Sequence, residues 1–111
     1  MQIMLMADYE CFPLWCSSDG GVCENIDPAS LAISAKLLQQ LDAWNEQYQA
    51  TYVKDNPIVS GFTDAGTKAD FVAHSYRLIK ALKQECLSQG MTEVDWVYFD
   101  ISSNTRQTID S

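Results

Sequence analysis

An α+β domain, in which a small sheet is covered by two main helices, is predicted by three features of the 111-residue chain. Two short apolar runs lie near its ends, Gln2 to Ala7 ("QIMLMA") and Thr92 to Asp100 ("TEVDWVYFD"). Two long stretches between them repeat apolar residues every three or four positions, the period of a helix that buries one face. A pair of short segments around "SSDGG" reads as an N-terminal hairpin. The length and a 47% apolar composition suit one domain spanning 1–111.

"QIMLMA" ends at the polar "DYE" and is too short to nucleate a helix, so it is read as the first strand. The Asp-Gly-Gly of "SSDGG" can take the positive φ of a tight turn between "CFPLWC" and "GVCENI". Pro13 should confine the first arm to an edge or a bulge. Asp27 before Pro28 reads as a cap and first helical position, good for one turn.

Ser34 should start the first main helix, in which Leu37, Leu41, Trp44, Tyr48 and Thr51 or Tyr52 form one apolar stripe over about five turns. The Asn-Pro and Ser-Gly pairs within Lys54 to Phe62 predict a loop. Thr67 with Asp70 is a capping-box candidate for the second helix, followed by Phe71, Val72, Ser75, Leu78, Ile79, Leu82 and Cys86 and closed by Gly90 as a left-handed cap. Val94, Trp96 and Tyr98 should share one face of the last strand, with Val97 and Phe99 on the other, while the polar tail after Ile101 is expected to fray. The first and last strands are expected side by side in the centre of the sheet, with the hairpin at one edge or over one end.

Charge limits the partners. Fifteen acids against seven bases leave a net of −8, and residues 1–64 alone hold nine acids against Lys36 and Lys54. Nonspecific binding to nucleic acid, which needs Lys and Arg to displace counterions, is not expected, whereas a basic partner is. No apolar run reaches the roughly 20 residues of a membrane span. The N-terminus lacks the basic start and apolar core of a signal peptide, so no membrane association and a cytoplasmic location are expected.

Chemistry is sparse in this pattern. Cys11, Cys16, Cys23 and Cys86 follow the spacing C-x4-C-x6-C with a gap of 62 residues before the last, which lacks a zinc knuckle. Free thiols are expected in a reducing compartment, and the acids around the first three should raise rather than lower a thiol pKa. His74 borders the second stripe without an evident nucleophile or orienting acid. The acids show no calcium-loop spacing, and "DGG" lacks the lysine of a phosphate loop. No catalytic residue, metal site or cofactor is therefore assigned.

What remains is an acidic, aromatic segment, Asp8 to Pro28, free of Lys, Arg and His. Aromatic rings supply contact area at low entropic cost and carboxylates steer a basic partner. Tyr9, Glu10, Trp15, Asp19, Glu24 and Asp27 are the candidate binding residues, and Phe12 belongs to the same aromatic pattern, with the alternative that Phe12 and Trp15 plug the end of the core.

"MLMADYECFPLW" together with "GGVCENIDPASL", and more loosely "AWNEQY", "NPIVSGF" and the final "VYF", resembles a family of small acidic bacterial proteins. These are immunity proteins of polymorphic toxin systems, including contact-dependent growth inhibition. The resemblance implies a non-enzymatic protein that binds its cognate toxin in the cytosol and blocks it. Many such toxins are basic nucleases, so occlusion of an active site or nucleic-acid groove is the expected mechanism. The family supplies no site residues to carry across. Its members tend to lack a cysteine at position 23, which argues against a shared metal site. Two other functions fit the residues: a small thiol- or metal-dependent enzyme using Cys11 and Cys16, or a regulatory protein-binding module.

Overall fold

The computed structural model describes residues 1–18, 21–56 and 61–110. Its order is β1 (Gln2–Leu5), β2 (Leu14–Ser17), β3 (Glu24–Ile26), a 3-10 turn (Pro28–Ser30), α1 (Ala35–Gln49), α2 (Ala65–Ser88), β4 (Asp95–Asp100) and β5 (Thr105–Thr108). The strands form one sheet in the order β3-β2-β1-β4-β5. β1 and β4 are parallel neighbours at its centre, with Ile3 opposite Trp96 and Leu5 opposite Tyr98. The other pairings are antiparallel.

Both apolar stripes pack on one face of this sheet. Ile3, Leu5, Leu14, Trp96 and Tyr98 meet Leu37, Leu41 and Trp44 of α1 and Phe71, Leu78, Ile79, Leu82 and Cys86 of α2 in a single buried cluster. Alternation along the strands directs Met4, Met6, Trp15, Val97 and Phe99 to the other face. Met4 and Val97 are buried there, while Trp15 and Phe99 are half-buried.

Each helix end is satisfied locally. The Ser34 hydroxyl accepts the Leu37 N–H at 3.2 Å and starts α1 as expected. The Asp27 carboxylate accepts the Ala29 N–H at 3.0 Å ahead of Pro28. α2 closes on Gly90, φ +91°, with the Gly90 N–H donating to Leu87 and the Met91 N–H to Cys86, the paired bonds of a Schellman end.

Several expectations need correction. α2 is capped by Asp64, not Thr67: the Asp64 carboxylate accepts the Thr67 N–H at 3.0 Å and the Thr67 hydroxyl at 2.7 Å. Three helix-side donors within reach, with the Gly66 N–H as the third, hold the Asp64 carboxyl below its ordinary pKa. α1 stops at Gln49, about four turns long, and Thr51 and Tyr52 follow in tighter turns. Pro13 directly precedes β2, which is flanked by β1 and β3, so its missing N–H removes no bond from the ladder while its carbonyl accepts the Met6 N–H at 3.0 Å. The tail does not fray: β5 pairs with β4, and buried Ile109 bonds to Trp96. The expected turn and loop fall partly at residues 19–20 and 57–60, outside the described residues.

One long-range contact joins the helix ends. The Glu85 carboxylate on α2 accepts both the backbone N–H of Ser34, at 2.6 Å, and its hydroxyl, at 2.8 Å. This fixes the capping residue of α1 against α2. Replacing Glu85 with alanine should cost about 1 kcal/mol, with glutamine retaining part of it, read from chemical denaturation midpoints.

Candidate interaction surface

The segment that carried the sequence argument folds into a loop, Asp8 to Phe12, between β1 and β2. Two side-chain amides hold it from different directions. Gln49, at the end of α1, accepts the Glu10 N–H at 2.9 Å and donates to the Asp8 carbonyl at 2.8 Å. Asn25, on β3, accepts the Phe12 N–H at 2.9 Å and donates to the Phe12 carbonyl at 2.6 Å and the Leu14 carbonyl at 3.0 Å. Each amide thus substitutes for a strand neighbour that the loop lacks.

Between the two clamps Glu10 adopts φ +60°, a left-handed conformation that non-glycine residues seldom take. Such a residue persists when its surroundings over-determine it, and bonds on both sides do so here.

Tyr9 anchors the loop from beneath. Its ring lies between Tyr48 and Tyr52, with centroids 4.6 and 4.7 Å away. Its hydroxyl meets the Thr51 hydroxyl at 2.7 Å, and because the latter donates to the Tyr48 carbonyl, Tyr9 is the donor of the pair. Burial, followed by Tyr9 and the Asp8 carboxylate, pushes the Tyr48 phenol well above its ordinary pKa. The rings continue through Phe62 and Phe71 to Trp44, joining the loop to the core.

The other candidate residues separate in space. Trp15 is half-buried on the helix-free face of the sheet, its indole N–H donating to the Met6 carbonyl at 3.1 Å. Glu24 is exposed on the edge strand beside Asn25, and Asp27 is exposed while capping the 3-10 turn. Asp19 lies outside the described residues. Tyr9 and Trp15 therefore have their polar atoms committed inside the molecule, whereas Glu10 and Glu24 face solvent.

Phe12, an aromatic of the acidic segment that could equally plug the end of the core, is instead 47% exposed. It lines an open cleft of about 380 Å³ together with Glu10, Cys11, Asn25, Asn45 and Gln49. Among the described residues no Lys, Arg or His lines the cleft, and exposed Asp42 and Glu46 flank Asn45 on α1. Neither the exposure of Phe12 nor the clamps have a signal in sequence, because Gln49 lies 39 residues from Glu10 and Asn25 lies 13 from Phe12.

Catalytic chemistry finds little support here. Burial and the carboxylates of Asp8 and Glu10 raise the Cys11 thiol pKa, the wrong direction for a nucleophile. Half-buried His74 is pushed down by burial and by Arg77. Among the described residues, no group of three or more His, Cys, Asp or Glu side chains could hold a metal, and no helix is long and apolar enough to cross a membrane.

No curated protein matches the chain. The sequence profile described as Serratia CdiI immunity protein-like matches residues 1–101, which takes in every element but the last, β5. That span is most of the 111 residues, so the chain belongs to the Serratia CdiI immunity protein-like family, immunity proteins of contact-dependent growth inhibition systems.

Proposed function

We propose that this immunity protein binds its cognate toxin directly in the cytoplasm and neutralises it by covering the active site or nucleic-acid groove of a basic nuclease. It acts as a stoichiometric blocker, without catalysis and without a cofactor. The observation that carries this is the charge distribution: residues 1–64 hold nine acids against two bases, complementary to a groove built for phosphates. In this mechanism Glu10, Asp19, Glu24 and Asp27 steer the approach, and Tyr9 and Trp15 brace the surface they stand on. Carboxylates of this kind set association rate and partner choice more than final affinity.

The test uses the cognate toxin, which an immunity gene should have directly upstream of it. Equimolar immunity protein should abolish its nuclease activity. The double substitution Asp19→Asn and Glu24→Gln should slow association about three- to tenfold at low salt and flatten its salt dependence. Unchanged association would remove these acids from the interface and shift it to the wet side of α1 around Asp42 and Glu46. A toxin without nuclease activity would overturn the groove mechanism.

A further inference from the structure

We propose that the Glu10–Phe12 loop is a docking point for one cationic side chain, arginine or lysine, of the toxin, with the Phe12 ring as its platform and the Glu10 carboxylate as its counter-charge. This rests on the toxin-binding function above and names the place where contact is made.

Three observations converge on the loop. The first is Phe12 itself, an aromatic side chain left 47% exposed beside a cleft. Its backbone N–H and carbonyl are both bonded to Asn25, which holds the residue at the cleft. A residue whose backbone is already held leaves only side-chain torsions to be ordered when a partner covers it, which suits an interface anchor.

The second is the lining of the cleft. Among the described residues, Glu10 supplies its only carboxylate, Asn25, Asn45 and Gln49 supply neutral amides, and no basic side chain lines it. Asp42 and Glu46 add negative charge on the adjoining helix, and Asp8 adds more within the loop. A cation entering here meets an aromatic ring and a carboxylate in the same cleft, and both attract it. An acidic or purely apolar segment would desolvate Glu10 without return.

The third is that the local geometry is maintained against a backbone cost. Glu10 at φ +60° is held by the Gln49 clamp, although glycine would take the same conformation without strain. The turn itself therefore does not call for a side chain at this position, and the one present carries a carboxylate into the cleft.

Substitutions at the two positions test this, with binding to the same cognate toxin measured by kinetics and thermal melts recorded on each variant. Phe12→Ala should weaken binding about 10- to 100-fold with an unchanged melting temperature, because the ring is half exposed. Glu10→Gly should keep or raise the melting temperature by relieving the left-handed backbone, and still weaken binding about three- to tenfold. The two losses should combine less than multiplicatively, since both side chains hold one partner group.

Wild-type affinity in both variants, with the wild-type protein binding and inhibiting, would overturn the docking point and leave the immunity function standing. If the wild-type protein itself failed to bind the toxin, both would fall. Self-association of the wild-type chain that Phe12→Lys abolished, with toxin binding unaffected, would assign the loop to a second copy and also overturn the proposal.

Discussion

Replacing Trp44 with alanine should destabilise the fold by about 3–5 kcal/mol, a large part of the 5–15 kcal/mol typical of a whole domain. The indole is 1% exposed and lies nearly parallel to the Phe71 ring, 4.8 Å between centroids. Its N–H donates to the Ser75 hydroxyl at 2.8 Å, which in turn donates to the Phe71 carbonyl at 2.7 Å. Alanine would open a cavity between α1 and α2 and leave a fully buried serine short of a partner. Trp44→Phe keeps most of the volume and removes only the hydrogen bond, so its cost should be nearer 1–2 kcal/mol. Urea midpoints at constant slope would measure both. The effect reaches the binding surface, because the rings from Trp44 through Phe71 and Phe62 to Tyr48 support Tyr9, and α1 carries Gln49.

Asp100 should show the largest pH-dependent effect. It closes β4 with only 7% of its surface exposed, and accepts the Tyr76 hydroxyl at 2.6 Å, the Ser102 N–H at 2.8 Å and the Ser102 hydroxyl. Burial alone would raise its pKa, but the bonds from Ser102, Tyr76 and the Ser103 backbone together outweigh it and leave the carboxyl below its ordinary value. Burial, aided by Asp100, pushes the Tyr76 phenol to about 12, so it remains a donor at neutral pH.

A carboxyl with a depressed folded pKa contributes stability that is complete above its unfolded value, about 3.9, and is lost as pH falls through the folded value. Asp100→Ala should therefore cost about 2–3 kcal/mol at pH 7. Asp100→Asn should cost less, and its deficit relative to wild type should shrink below about pH 4. Denaturation curves collected across that range would show the convergence. A constant deficit would mean that packing, not the charge, makes the contribution. The β4–β5 hairpin should loosen first in either variant, since Asp100 organises the turn in which Asn104 takes φ +57°.

The elements visible in the sequence were those whose signal is local. Ser34, Asp27 before Pro28, and Gly90 act within a few residues of themselves, and each takes its expected part. The two stripes and the apolar strands follow from period alone, and they led to β1 and β4 as central neighbours. The cap at Asp64 is not distinguishable in sequence, because Thr67 also fits a capping pattern. The choice depends on where the preceding loop delivers the chain: with the helix beginning at Ala65, the Asp64 carboxylate caps it and Thr67 falls within the first turn, donating to that carboxylate. β5 was missed because "TRQT" is polar on both faces. Its strand form comes from the backbone ladder to β4 and from Ile109 beyond it, buried in the core.

For binding, composition alone established that a protein with net charge −8 should meet a basic partner, and that the acids gather in its first half. Which groups are free to do so was decided by the tertiary structure. Tyr9 and Trp15 had the chemistry of anchors, but packing against Tyr48 and Tyr52 and bonding to Met6 draw them inward. Phe12, which sequence could not distinguish from a core residue, is left outside by the clamp from Asn25. Charge is a property of residue type and is carried by the chain in any conformation. Exposure depends on contacts between residues such as Glu10 and Gln49, 39 positions apart, and exists only once the fold has brought them together.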